Sequence, residues 1–553
     1  MENKRYYWFN EASEAFMRNK ESYLQPHHKH VSDRVMEIGQ HAEKILGQRG
    51  FAEEFEEYMS RGYYSLSTPI WTNFGTTRGL SISCFGSYIE DRMDSILFTA
   101  AEVGMMSKNG GGTSAYFGKL RPRGAEIKNN GKSSGSVHFM QLFDTISNVI
   151  SQGSSRRGSF AAYLDIHHPD IEEFLKIRTE GFPIQDISFG VCVPDWWLEE
   201  MKQGDREKRK IWARVIQLRG EIGYPYIFFT DNVNRNTVDV YKDKNMVIHS
   251  SNLCSEICLP TNENESFVCD LSSINLLHWD EIKNQPRVVH ILVQLLDAVM
   301  TDFIERASKI KFMERAVEFA KNHRALGIGV LGLHSYYQSK MIPFESLKAK
   351  NLNHEIFKFL KEETYAESKR LAERFGEPSV LKGYGRRNTT LLAVAPTTSS
   401  AFILGQVSQS IEPYHSNYFV KDVAKGKFTI KNPYLTKLLE EKGKNDYETW
   451  DSILKAGGSV QHLDFLTQHE KDVFKTFEEI SQKEIIIQAS IRQRYIDQSQ
   501  SLNLMIHPDT PAKDINELIL FAHEQGIKTL YYQHSINSAK EFSRKLLQCV
   551  NCE

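Results

Sequence analysis

At Ser65 the chain changes its rhythm, and that change limits the fold more than any other feature. Before it, Ala15, Phe16, Val35, Ile38, Ala42, Ile45 and Leu46 recur at helical spacing among charges, so residues 10–62 read as helical. After it come short apolar runs broken by Gly, Ser and Thr, such as Leu80-Ser81-Ile82-Ser83-Cys84-Phe85 and Ile187-Ser188-Phe189-Gly190-Val191-Cys192-Val193. Runs this short read as strands buried on both faces. Longer stretches of helical character lie between such runs, at Val289 to Arg306 and Ile356 to Phe375. Strand alternating with helix points to a parallel sheet or barrel. A chain of 553 residues can bury a large core, as several domains or as one large α/β barrel with insertions.

Charge and cysteine usage exclude several functions. The 68 basic and 70 acidic residues leave a net charge of −2, which argues against a general nucleic-acid binder. No apolar run approaches the roughly 18 residues needed to span a bilayer, and the first residues, Met1-Glu2-Asn3-Lys4-Arg5, lack an apolar signal core. Seven cysteines is a small and odd number for this length. The expectation is a cytoplasmic protein whose thiols stay reduced or work catalytically.

One thiol stands out. In Asn252-Leu253-Cys254-Ser255-Glu256 a carboxamide precedes the thiol by two residues and a carboxylate follows it by two. If the stretch is extended, the three side chains share one face and offer a hydrogen-bonding amide, a redox-capable sulfur and a proton acceptor. Taken alone, the pentapeptide fits a buried structural cysteine better, as do Cys84, Cys192 and Cys269. Cys258 makes a close pair with Cys254. Cys549-Val550-Asn551-Cys552 differs from these. With no second pair nearby to complete a zinc site, an accessible dithiol at a loose end suits thiol–disulfide exchange. Pro396-Thr397-Thr398-Ser399-Ser400 follows an apolar run and can present hydroxyls and backbone N–H groups to a phosphate. The Gly/Ser/Asn-rich loops at 108–113, 129–136 and 151–159 have the composition of binding loops, with Arg121, Arg123, Lys128, Arg156 and Arg157 in or beside them. Tyr531-Tyr532 is an adjacent aromatic pair.

Together these motifs resemble, in order, the catalytic large subunit of class I ribonucleotide reductase. They are Ser67-Thr68-Pro69, Ser83-Cys84, Asn252-Leu253-Cys254-Ser255-Glu256-Ile257, Cys269 with Leu271-Ser272-Ser273, the Pro396–Ser400 run, Tyr531-Tyr532 and the terminal cysteine pair. The resemblance implies a ten-stranded α/β barrel of two parallel five-stranded halves, with Cys254 on a central finger loop. A helical region (1–64) would precede the barrel (65–540), and a redox-active tail (541–553) would follow it.

The resemblance also implies roles. Cys254 would carry a thiyl radical that removes the 3′ hydrogen of a ribonucleoside diphosphate. Glu256, ionised at neutral pH with the usual carboxyl pKa of roughly 4, would take the 3′-hydroxyl proton, and Asn252 would bind the sugar hydroxyls. Cys84 and Cys269 would supply two electrons and end as a disulfide. Cys549 and Cys552 would reduce that bond and be regenerated by thioredoxin or glutaredoxin. Tyr531 and Tyr532 would relay the radical from a separate small subunit that carries the metal or radical cofactor. Thr68, Ser83 and Pro396, Thr397, Thr398, Ser399 and Ser400 would hold the substrate diphosphate. Asp91, Lys108, Arg121 and Lys128 would bind a dNTP or ATP effector, with Mg2+, at a homodimer interface. No metal is expected in this chain, and the residues before Thr68 lack the start of the family's ATP-binding cone. Among alternatives, Tyr531-Tyr532 argues against an adenosylcobalamin-dependent enzyme. The cysteines and Glu256 argue against a silent nucleotide-binding relative.

Overall fold

The structure, a computed structural model, describes residues 6–153, 158–423 and 426–535, with backbone alone for 420–423 and 426–428. Its strands are β1 (Tyr64–Leu66), β2 (Cys84–Tyr88), β3 (Thr113–Tyr116), β4 (Phe160–Asp165), β5 (Ser188–Val193), β6 (Tyr226–Phe229), β7 (Phe267–Asn275), β8 (Leu326–Leu331), β9 (Tyr418–Val423), β10 (Gly426–Lys431), β11 (Leu504–Ile506), β12 (Thr529–Leu530) and β13 (Gln533–Ser535).

Strands β2 to β6 pair in chain order, all parallel. A second parallel set begins with β7 and β8. It continues into residues 390–394 through the Ile328–Leu392 bridge, then into 498–502 through the Val394–Gln500 bridge. The Tyr531 N–H, 2.9 Å from the Leu502 carbonyl, joins that stave to the chain just after β12. The two sets meet antiparallel at two seams, β2 against β7 and β6 against β12. The result is a closed barrel of ten staves in two parallel halves, as the family resemblance implies. β7 changes partners along its length. Its first residues pair with β2, and its later ones lie between β1 and β8.

Burial explains the strand composition. Every residue of β5 and β7 is buried, because helices cover the outside of the barrel while side chains fill its inside. Arg287–Ala307 is such a cover, apolar around most of its circumference. At the first seam Gly86 lies opposite Phe267. A Cβ at Gly86 would come 2.0 Å from the Phe267 ring, so only glycine lets these strands close. Behind the seam, buried Glu102 accepts from Arg315 (2.6 Å), Ser87 on β2 (2.7 Å) and Ser266 just before β7 (2.8 Å). Removing one partner of such a buried, hydrogen-bonded pair would leave an uncompensated charge, so the group fixes how the two strands meet.

The helical N-terminal region is present as Glu11–Arg18, Val31–Leu46 and Phe51–Ser60, and its Val35, Ile38 and Phe55 join the apolar core that fills the barrel. The expected helices at 289–306 and 356–375 are longer, Arg287–Ala307 and Leu347–Phe375. The strand read at 80–85 begins only at Cys84. A satellite core of Leu435, Leu439, Trp450, Ile453 and Phe474 lies under the short helices at 433–473, between two barrel staves. Among the described residues no helix is long and apolar enough to cross a membrane.

Candidate active site

Ser250 to Thr261 forms no helix or strand, yet every residue of it is buried. A buried irregular segment must find partners for its peptide groups, and the barrel wall supplies them. Tyr163 of β4 donates to the Asn252 carbonyl (2.6 Å), Ser501 to that of Cys254 (2.6 Å) and Thr529 of β12 to that of Ser255 (2.6 Å). The Ser499 N–H bonds the Glu256 carbonyl at 2.9 Å, and Ser251 bonds that of Ile257 at 2.6 Å. Five carbonyls of the loop are thus held in place, which fixes the loop as a finger inside the barrel.

The segment is not extended, contrary to the alternation argument. Ser255 takes φ +68, and its N–H points back toward the Asn252 carbonyl. A tight turn, not a pleat, brings the Asn252 and Glu256 side chains together. Asn252 uses its Oδ1 to accept from the Ile257 N–H (3.2 Å), and its Nδ2 donates to the Cys84 sulfur (3.2 Å). Glu256 is fully buried and accepts from Ser501 at 3.2 Å. Burial pushes its carboxyl from 4.5 up to about 7, and hydrogen bonds from its own backbone, Asn252 and Ser501 only partly offset that. The expectation of a fully ionised carboxylate at neutral pH is therefore corrected, because desolvation outweighs the local donors.

Cys84 and Cys269 are directly opposite one another across the β2–β7 seam. Both are buried and in the thiol form. Directly opposed antiparallel residues hold their Cβ atoms about 4.5–5.5 Å apart, close to the roughly 3.8 Å of a disulfide. Each sulfur faces a carboxamide, Asn252 on Cys84 and Gln498 on Cys269 at 3.5 Å. Burial holds the Cys269 thiol well above its ordinary range. Cys258 is buried too, its N–H held by Gln498 at 3.0 Å. Gln498, Ser499 and Ser501 escaped the sequence reading because a polar run such as Gln498-Ser499-Gln500-Ser501 ordinarily signals an exposed loop.

The Pro396–Ser400 run ends the 390–394 stave and enters a short helix, Thr398–Ile403, that packs against β1. Thr397 has φ +54, and its hydroxyl accepts the Ser410 N–H at 2.8 Å. Ser399 and Ser400 are buried. The Thr68 hydroxyl meets that of Tyr23 at 2.8 Å. The Ser67, Ser81 and Ser83 hydroxyls are buried with no hydrogen-bond partner among the described residues, as hydroxyls awaiting a polar ligand are.

Tyr531 is buried and Tyr532 half-buried, with ring centroids 4.2 Å apart. They follow Thr529, whose hydroxyl holds the Ser255 carbonyl of the finger loop. Asp91 and Arg121 form an ion pair at 2.7 Å. Lys108 is not with them. It ends the sixteen-residue helix Met93–Lys108, about 24 Å from that helix's start near Asp91. Lys128 is exposed in the turn closed by the Glu126–Lys132 bridge. Arg156, Arg157, Cys549 and Cys552 lie outside the described residues.

A buried thiol on a finger inside a ten-staved barrel, beside a pair of facing thiols, is the arrangement of an oxidoreductase. The comparisons identify which. The ribonucleotide reductase barrel-domain model matches residues 82–208, 200–380 and 379–533. The chain is 35% identical over 541 residues to the putative ribonucleoside-diphosphate reductase large subunit of Frog virus 3, covering 93% of this chain and 94% of that one. It is 34% identical over 597 residues to the ribonucleoside-diphosphate reductase large subunit of Invertebrate iridescent virus 3, covering 94% and 93%. The structure matches the Actinobacillus ureae class Id ribonucleotide reductase alpha subunit with a TM-score of 0.91 and 55% identity, covering 97% of this chain and 99% of that one. The chain belongs to the ribonucleotide reductase family.

Proposed function

We propose that this chain is the catalytic large subunit of a class I enzyme that reduces ribonucleoside diphosphates to 2′-deoxyribonucleoside diphosphates. The observation that carries the reading is the facing of Cys84 and Cys269 beside the finger loop that bears Asn252, Cys254 and Glu256. A radical is needed because the ribose C–H bond is too strong for acid–base chemistry, and a cofactor, here on the small subunit, supplies the oxidising equivalent.

The Cys254 thiyl takes the 3′ hydrogen, forming S–H as C–H breaks. Glu256 accepts the 3′-hydroxyl proton while Asn252 orients the sugar hydroxyls. The 2′-hydroxyl leaves as water with a proton from the thiol pair, and Cys84 and Cys269 give up two electrons to become a disulfide. Cys254 then returns its hydrogen to C3′. One substrate and two thiols thus yield one deoxynucleotide, one water and one disulfide. The barrel wall keeps bulk water from the radical.

Thr68, Ser83 and Pro396–Ser400 bind the diphosphate in this reading. Tyr531 and Tyr532 pass the radical inward, and Cys549 and Cys552 carry electrons from thioredoxin or glutaredoxin in the cytoplasm. Arg121 and Lys128 grip the phosphates of a dNTP or ATP effector with its Mg2+, and Asp91 holds the Arg121 guanidinium in place for that contact. Lys108, about 24 Å away at the far end of its helix, is left out of that grip. The homodimer is supported by exposed apolar side chains on two packed helices, Met93 (55% exposed) and Leu97 (55%) on one and Val149 (75%) on the other.

The test is Cys254→Ser assayed with the small subunit. Deoxynucleotide formation should vanish while substrate and effector binding persist, and normal turnover would sink the assignment.

A further inference from the structure

Four tyrosines, not two, make up the aromatic cluster at the β6–β12 seam. Tyr224 and Tyr226 flank Pro225 at the start of β6, with ring centroids 5.1 Å apart. Tyr226 lies 4.9 Å from Tyr531 and 5.2 Å from Tyr532, and Tyr224 lies 5.2 Å from Tyr532 with the rings edge to face. The Tyr224 and Tyr532 hydroxyl oxygens are 3.1 Å apart. On its other side the Tyr224 hydroxyl is 3.2 Å from the Ser188 hydroxyl of β5. The Arg178 guanidinium stands 4.6 Å from the Tyr224 ring centroid. It is pinned there by donating through Nε to the Ile187 carbonyl (2.7 Å) and through Nη2 to that of Asp186 (3.0 Å).

We propose that Tyr224 is a positioning residue for the radical relay, whose hydroxyl donates a hydrogen bond to the Tyr532 oxygen and fixes that ring against Tyr531. The proposal rests on the reading of Tyr531 and Tyr532 as the relay. A phenoxyl oxygen has no proton and can only accept, so an oxidised Tyr532 needs a donor. Ser188, donating to the Tyr224 oxygen, leaves the Tyr224 proton directed at Tyr532. When the hole moves inward, the Tyr531 O–H bond breaks and the Tyr532 O–H bond forms. The Tyr224 O–H bond stays intact throughout. Arg178 keeps it so, because a cation over the ring face opposes removal of an electron from that ring. Tyr224 therefore assists the hole without holding it, a division that two adjacent tyrosines alone cannot make.

Two probes test this, one of them independent of the small subunit. With 3-nitrotyrosine at position 532 of the isolated chain, the phenol titrates visibly. A hydrogen bond to a charged group is worth about 1.5–3 kcal/mol, so Tyr224→Phe should raise the titration midpoint by about one pH unit or more. The Phe ring keeps the stacking of Tyr224 on Phe189, so the variant retains the fold. In the holoenzyme with 3-aminotyrosine at 532, the trapped radical should show a deuterium-exchangeable proton coupling that Tyr224→Phe removes. An unchanged midpoint or an unchanged coupling overturns the proposal. If no radical forms at 532 even with Tyr224 present, the relay reading fails instead, and the nitrotyrosine titration still decides the contact.

Discussion

Replacing Glu256 with Gln should make the protein more stable at about pH 8 while abolishing turnover. The carboxyl is fully buried and titrates at about 7 rather than 4.5. At about 1.36 kcal/mol per pKa unit, ionising it inside the barrel costs about 3 kcal/mol. The sign follows from proton binding. The folded chain holds this proton more tightly than the unfolded chain, so the group's stabilising contribution is complete below about 4.5 and is lost as pH rises through about 7. A carboxamide cannot ionise, and it keeps a similar shape toward Asn252 and Ser501. Unfolding entropy near 2.1 cal/mol/K per residue, over 553 residues, makes one degree of Tm equal to about 1 kcal/mol. Calorimetry should therefore place Glu256→Gln about 3 °C above the native chain at about pH 8. The gap should shrink to under about 1 °C near pH 5. In the native enzyme kcat should fall about tenfold per unit below about pH 7, as the proton acceptor is lost. A Tm gap that does not vary with pH, or no gap at about pH 8, would refute the reasoning.

Three further outcomes follow from the same geometry. In a chain carrying Cys549→Ser and Cys552→Ser, single turnover of the reduced enzyme without external reductant should protect Cys84 and Cys269 from alkylation, with one disulfide between them by mass spectrometry. Changing Cys549 and Cys552 to Ser should confine thioredoxin-driven product to about one equivalent per site, because the internal disulfide can form but not be reset. Glu102→Leu strands the Arg315 guanidinium behind the first seam. It should cost about 3–5 kcal/mol, read as a Tm drop of about 3–5 °C.

Much of this molecule is legible in its residues because local pattern and buried geometry agree. The short run at β5, apolar apart from Ser188 and Gly190, reads as a strand covered on both faces, and the Cys254 loop becomes recognisable once its thiol, carboxamide and carboxylate are taken together with the other motifs. What escapes depends on pairing between distant segments. Cys84 and Cys269 become partners only when β2 and β7 align. The acidity of Glu256 is set by the wall around it and not by its neighbours in sequence. Alternation misplaced Asn252 and Glu256 because the left-handed backbone of Ser255 is invisible in a Cys-Ser-Glu string. Gln498 and Ser501 read as loop because polarity in sequence does not distinguish solvent from the inside of a barrel. Tyr224 went unremarked because its role depends on a hydroxyl contact with a residue more than half the chain away.

The partner change along β7 bears on how the enzyme experiences its own turnover. Cys269 is the last residue of that strand to pair with β2, immediately before the strand pairs with β8. Under the proposed chemistry, the product-forming step rivets the two halves of the barrel together at this joint, and reductive recycling unfastens it. The oxidation state of the site is then also a mechanical state, with the barrel stiffer after each catalytic event than before it.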